Sequence, residues 1–221
     1  ESIWTRTTLP VHPPLEGRHR CDAVVLGGGM AGILTAWFLR QHGLSVIVLE
    51  ANRVGSGQTQ NTTAKITAQH GLCYAKLIDR FGAQDALRYA RAARQAVTDF
   101  RDIIAQEHIT CHLENLPSYL YSRYDPTTLK KERDAACDLG FGAEFVKKTC
   151  LPFPVEGAVL FPDQAQFHPL EFLRSVSEPL VIYEHSKVTD VSDHQVTTAH
   201  GTVTADHILF ATHVPFVNFP G

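Results

Sequence analysis

The chain has 221 residues, 44% of them hydrophobic and 19% charged, with a formal net charge of -3. That is enough for one large or two small globular domains with a core that buries roughly 70% of the unfolded surface. Disorder is excluded by this composition, and binding to nucleic acid through net charge is not expected.

No apolar run reaches the roughly 18 residues of a spanning helix, and no signal segment follows Glu1. No membrane partner is therefore expected. The five cysteines are widely spaced, with no CxxC pair. They read as thiols of a reducing, cytoplasmic compartment. No HExxH or HxH cluster offers a metal site.

In chain order, residues 1–19 hold Pro10, Pro13 and Pro14 and read as an extended arm. The apolar run Asp22–Leu26 ends in glycines, as a buried parallel strand does. Met30–His42 has helical periodicity and stops at Gly43. Ser45–Glu50 is a second buried strand, which completes a βαβ unit whose crossover should be right-handed. Residues 51–69 form a long polar loop. Leu72–Phe81 predicts a short helix ending at Gly82, and Ala83–Glu107 a long amphipathic one.

The texture then changes. Strands are predicted at Ile109–Leu113, Ser118–Ser122, Ala143–Val146 and Ala158–Phe161, with a helix over Pro126–Leu139 capped by Asp125 and stopped by Gly140. Leu170–Val176 reads as a helix and Leu180–Glu184 as a strand. Val188–Val191, Gln195–Thr198 and Thr202–Ala205 read as an antiparallel meander, followed by a buried strand at His207–Ala211.

The motif with chemical content is Gly27-Gly28-Gly29-Met30-Ala31-Gly32, a GxGxxG between strand and helix. Glu50, about 20 residues further on, ends the next strand, as a dinucleotide fingerprint requires. Gly27 permits the tight turn. Gly29 lets a pyrophosphate approach the backbone, and Gly32 lets helix and strand pack closely. Met30 and Ala31 open the helix, whose free N–H groups favour an anion. Glu50 can accept hydrogen bonds from ribose hydroxyls but repels a 2′-phosphate, which disfavours NADP. The polar loop with Arg53, Gly55, Gly57, Thr59, Thr62 and Thr63 favours FAD over NAD.

The segment from Asp22 to Gly71 resembles the D-amino acid oxidase-like FAD-dependent oxidoreductases. Within them the chain is most similar to the branch that carries a C-terminal Rieske [2Fe–2S] domain. The entry Ser2-Ile3-Trp4, the stretch Thr62-Thr63-Ala64-Lys65, Gln69-His70-Gly71, the run Asp163–Pro169 and the turn Ala211-Thr212-His213 carry the likeness. It implies an α/β fold: a Rossmann-like FAD-binding domain of the glutathione-reductase or D-amino acid oxidase type with an inserted, partial α+β substrate domain. The FAD domain is expected over 20–80 and 162–221, and the insertion over 82–161. The resemblance further implies that the chain is an N-terminal fragment, without the late segment that closes over the flavin, and that it binds FAD weakly or not at all while the full-length protein binds it well. The Cys-x-His and Cys-x-x-His pairs of a Rieske centre are absent from it, so [2Fe–2S] is expected only in the missing part.

By this resemblance Gly27, Gly29, Met30, Ala31 and Gly32 meet the pyrophosphate, and Glu50 with Ala51 the adenosine ribose. Arg53 flanks the adenine or a phosphate, or else forms a surface salt bridge. Thr62 and Thr63 lie near the pyrophosphate and flavin, Val188 offers its backbone to the adenine, and Ala211 and Thr212 end the returning strand. Lys65 and His70 are the catalytic candidates, each with a plain structural alternative, as has His168. The implied activity is oxidation of an amine or amino-acid-like small molecule by hydride transfer to FAD, with electrons passing to a Rieske centre or another acceptor. An oxidase of the glycine or sarcosine type using O₂, and a dinucleotide-binding remnant without chemistry, stand as alternatives.

Overall fold

In the computed structural model, which describes residues 2–214, the first long element is strand β1, Gly17–Leu26. Its second half, Ala23–Leu26, is buried at every position, as a parallel strand covered on both faces requires. Helix α1, Met30–Gln41, buries Gly32, Ile33, Ala36 and Trp37, a stripe at helical spacing. It ends at Gly43, whose φ of 85° is a left-handed stop open to glycine. Strand β2, Val46–Leu49, is buried throughout.

The chain then builds a second unit from residues 64–168. Its elements are β3 (Lys65–Ile66), α2 (Tyr74–Gln106), β4 (Glu114–Asn115), β5 (Ser118–Ser122), α3 (Thr127–Asp138), β6 (Glu144–Val146), β7 (Gly157–Phe161) and β8 (Ala165–Gln166). Residues 169–214 return to the first unit with α4 (Pro169–Ser177), β9 (Val181–Tyr183), β10 (Val188–Ser192), β11 (Gln195–Thr198) and β12 (Gly201–Phe210).

The first unit carries a six-stranded sheet in the order β10-β11-β12-β1-β2-β9. β12, β1, β2 and β9 run parallel, and β10 and β11 extend the sheet antiparallel. The expected central parallel sheet is present, with Ser45–Glu50 contributing β2 inside it. Three expectations are corrected. The arm does not run to residue 19, because Gly17–Cys21 pairs with Gly201–Ala205 and belongs to β1. Ile3–Arg6 adds a 3₁₀ turn to what remains of it. Thr202–Ala205 and His207–Ala211 are one strand, since β12 follows β1 in register from Gly17↔Gly201 to Leu26↔Phe210.

In the second unit, β5, β7 and β6 form an antiparallel sheet in the order β5-β7-β6, packed against α3. The core joins Tyr74, Ala86 and Ala90 of α2 to Leu129, Ala135 and Ala136 of α3 and to Val159 and Phe161 of β7. The expected break at Gly82 is real: its φ of 82° and ψ of 163° interrupt α2. Asp125 Oδ1 accepts the Thr127 N–H at 2.8 Å, and Gly140 stops α3 at φ 84°. Ile109–Leu113 is not a strand. His112 sits at φ 50°, which an extended ladder does not admit. The two-residue strands β3, β8 and β4 form a further small sheet that no periodicity announces. The units divide after residues 63 and 168 rather than around 82–161. Positions 215–221 of the expected segment 162–221 lie outside the described residues.

One buried carboxylate organises the second unit. Glu132 is fully buried and accepts the N–H groups of Cys73 (2.9 Å), Tyr74 (2.8 Å) and Ala75 (3.0 Å). Those donors open α2 and have no partner inside their own helix. Burial also pushes the Tyr74 phenol well above its ordinary pKa, and its hydroxyl donates to the Ala68 carbonyl. Glu132→Ala strands three donors and is expected to destabilise the protein by about 3 kcal/mol or more. Urea unfolding measures it. A loss under about 1 kcal/mol, the typical value of an exposed cap, would mean that solvent replaces the carboxylate.

Candidate functional site

The apolar strands β1 and β2 end side by side, and β12 ends on the other side of β1. A cleft of about 840 Å³ opens at these carboxyl ends, where open α/β sheets bind ligands. The glycine turn forms its floor. Gly27, at φ 114°, passes so close to β12 that an added Cβ would lie 2.8 Å from the Ala211 carbonyl oxygen. At Gly32 an added Cβ would lie 1.9 Å from the Gly27 carbonyl oxygen. These two glycines therefore answer to packing. Gly29 differs: an added Cβ would meet only Thr59 Oγ1, at 3.5 Å, an ordinary contact. Its backbone faces the cleft, so the protein itself does not demand glycine there.

Glu50 stands at the end of β2. Its Oε2 accepts the Gly28 N–H at 2.6 Å, and its Oε1 accepts the Asn52 N–H at 2.8 Å. The carboxylate thus joins the glycine turn to the strand end. A carboxylate has about four lone-pair sites, so acceptor capacity remains on the cleft side. Thr59, buried on the 3₁₀ turn Gln58–Asn61, accepts the Met30 N–H at 3.0 Å. One of the free donors at the start of α1 is thereby held by a hydroxyl. At the end of β12, Thr212 Oγ1 is buried and meets no hydrogen-bond partner among the described residues.

Gly27, Gly29, Met30, Ala31, Glu50, Ala51, Arg53, Val188, Ala211 and Thr212 all line this one cleft. Gly32 lies beneath it in the turn. Thr62 and Thr63 are exposed and outside the lining; Thr59 is the loop hydroxyl that the fold turns inward. Lys65 and His70 belong to the second unit, Lys65 in β3 opposite Gln166 and His70 on an exposed loop. Arg53 Nε lies 2.8 Å from Glu184 Oε2, an ion pair as one alternative reading of this residue foresaw, though its partner carboxylate is buried. Ser186 and Lys187 also line the cleft. They reach it from the distant β9–β10 connection, and nothing local in the sequence marks them.

A backbone approach open at Gly29, a helix N-terminus, an acidic strand end and an unsatisfied buried hydroxyl suit a ligand with a pyrophosphate and a ribose. They define the unit as a dinucleotide-binding domain. The chain belongs to the FAD dependent oxidoreductase (DAO) family, which matches residues 22–217. FAD is the cofactor of that family, and the glycine turn, Glu50 and Thr212 fit its ADP end.

Along its full length the chain is 33% identical to YhfW of Bacillus subtilis (strain 168), named as a Rieske 2Fe-2S iron-sulfur protein, and covers 46% of it. It is 24% identical to gamma-glutamylputrescine oxidoreductase of Escherichia coli (strain K12) over 86% of this chain and 48% of that protein. The chain thus spans about half the length of the curated relatives it matches. Among solved structures, glycine oxidase from Geobacillus kaustophilus superposes with a TM-score of 0.70 at 19% identity, over 88% of this chain and 55% of that one. L-proline dehydrogenase from P. horikoshii gives 0.71 at 19%, over 90% and 54%. These two show a shared fold. No described helix is long and apolar enough to cross a membrane, and no metal-binding cluster occurs among the described residues.

Proposed function

We propose that the cleft holds the ADP part of FAD and that the protein oxidises an amine or amino-acid-like small molecule. The observation that carries the reading is the opening at Gly29, where the fold leaves room for a pyrophosphate and no internal contact demands glycine. FAD, when bound, supplies a hydride acceptor. Gly27, Gly29, Met30, Ala31 and Gly32 are assigned to the pyrophosphate turn. Glu50 and Ala51 are assigned to the ribose, Val188 to the adenine, and Ala211 and Thr212 to the strand end beside the cofactor. Thr62 and Thr63 stand with them by motif alone, and Arg53 lines the cleft beside them with its guanidinium paired to Glu184. Lys65 and His70 are proposed near the flavin on the strength of the TTAK and QHG motifs alone.

The substrate class is supported by gamma-glutamylputrescine oxidoreductase, glycine oxidase and L-proline dehydrogenase, whose names all point to amines or amino acids. The likeness to YhfW supports an electron route to a Rieske centre. These 221 residues contain no Cys-x-His or Cys-x-x-His pair, so such a centre would lie outside them. Five widely spaced cysteines with no CxxC pair support a reducing, cytoplasmic setting. Anaerobic mixing of the FAD-loaded protein with a panel of amines and amino acids tests the reading. Loss of flavin absorbance with at least one of them is expected; an oxidised flavin with every member of the panel would contradict it.

A further inference from the structure

We infer that Arg53 serves the cleft by holding its wall: with Glu184 it forms a staple that fastens the N-terminal arm, residues 9–15, to the loop forming the cleft wall. Arg53 is then a positioning residue and not a ligand of the cofactor phosphates. The inference rests on the FAD reading above and deepens it.

Glu184 follows β9 and is fully buried. Its Oε1 accepts the Val54 N–H at 2.8 Å, and its Oε2 accepts the His12 N–H at 3.1 Å. Arg53 Nε stands 2.8 Å from that same Oε2. The other arm of the guanidinium is engaged as well: Nη2 donates to the carbonyls of Leu9 (3.3 Å) and Pro10 (3.1 Å). A buried carboxylate without its cation is strongly unfavourable, so the pair holds as a unit. The arm is fixed at two more points. The Glu184 N–H donates to the Pro13 carbonyl at 3.1 Å, and the Leu15 N–H donates to Ser186 Oγ at 2.8 Å, with the Leu15 side chain buried.

The staple reaches the site through two short links. Val54 is held by Glu184, and the next residue, Gly55, donates its N–H to the Gly28 carbonyl at 3.0 Å. Ser186 donates its N–H to the Glu50 carbonyl at 2.8 Å. The glycine turn and the ribose carboxylate are thus each one residue from the stapled segment. A loop that carries Gly55 and Gly57 would otherwise sample many conformations. Fixing it before binding removes an ordering cost from the bound state. The Arg53 charge is meanwhile engaged by Glu184, which leaves little of it for a diphosphate.

A double-mutant cycle on FAD affinity, read by quenching of flavin fluorescence, tests the staple. Arg53→Gln and Glu184→Gln are each expected to weaken FAD about tenfold, and the double variant no more than about twofold beyond the weaker single, because residues that act as a unit are not additive. Arg53→Lys, which keeps the charge, should recover part of the loss. Hydrogen exchange at the Val54 amide, in protein without FAD, should quicken in both single variants. Additive losses, or unchanged exchange at Val54, overturn the inference.

If Glu184→Gln does not fold, the ionic-strength dependence of FAD affinity decides. A buried pair is screened much less than an exposed contact, so wild type and Arg53→Gln should share one salt slope. A shallower slope in Arg53→Gln would place Arg53 on the phosphates. Absence of FAD binding by the full-length wild type would contradict the FAD reading instead, and the exchange measurement would still judge the staple.

Discussion

Replacing Gly32 by alanine is expected to cost the protein at least about 3 kcal/mol, at the upper end of overpacking penalties. The new Cβ would lie 1.9 Å from the Gly27 carbonyl oxygen and 3.2 Å from the Ala211 Cβ. Neither neighbour is the loose end of a flexible side chain. Gly27 is fixed by its own N–H, which donates to the Leu49 carbonyl at 2.8 Å, and Ala211 by its N–H to the Leu26 carbonyl at 2.9 Å. Relief therefore requires α1 to move away from β1, which opens the packing of Ile33 and Ala36. For a chain of this size the melting temperature should fall by roughly 6–12 °C. A fall of less than about 2 °C would show that the start of α1 is free to shift.

Glu50→Arg is expected to weaken FAD binding by about 10- to 150-fold, the equivalent of losing charge-assisted hydrogen bonds worth about 1.5–3 kcal/mol. Two effects add. The carboxylate that would accept from the ribose is removed, and the Gly28 and Asn52 N–H groups it now holds lose their acceptor. Glu50→Gln separates the two, since its amide oxygen can still accept the Gly28 N–H while the charge is gone. FAD titration of both variants against wild type measures the difference. Equal affinity in all three would remove Glu50 from the ribose site.

Much of this fold was legible because its central strands are apolar on both faces. The runs at Asp22–Leu26 and Ser45–Glu50 could hardly be anything but buried strands next to a glycine turn, whereas His207–Phe210, expected to be buried, is a strand with exposed or half-buried side chains throughout. Gly82 was legible as a helix break because no side chain stands in the way of its positive φ. What escaped was set by partners distant in the chain. Gly17–Cys21 is a polar, basic pentapeptide, and only its pairing with Gly201–Ala205 makes it a strand. Ile109–Leu113 has the composition of a strand, yet His112 adopts a left-handed conformation that no local pattern demands.

The site divides in the same way. The turn and Glu50 are one contiguous motif and could be assigned from spacing. Thr59 could not be told from Thr62 and Thr63, because which hydroxyl faces inward depends on a single 3₁₀ turn. The Arg53–Glu184 pair joins the loop after β2 to the end of β9, and its meaning emerges only when those two strands lie side by side.

The central claim is that the glycine turn receives the pyrophosphate of FAD, and FAD titration of the wild type and of Gly29→Ala tests it most directly. At Gly29 the backbone has an ordinary φ of −81° and an added Cβ meets only Thr59 Oγ1 at 3.5 Å, so the variant should fold with a nearly unchanged urea midpoint. The methyl group would instead occupy the space of the pyrophosphate and hold it off the N–H groups of α1. The full-length wild type should show saturable FAD binding that ADP displaces, and Gly29→Ala in the same protein should bind about 10- to 150-fold more weakly, as expected for lost hydrogen bonds to a charged group. FAD binding that ADP does not displace, or that survives undiminished in Gly29→Ala, would contradict this account.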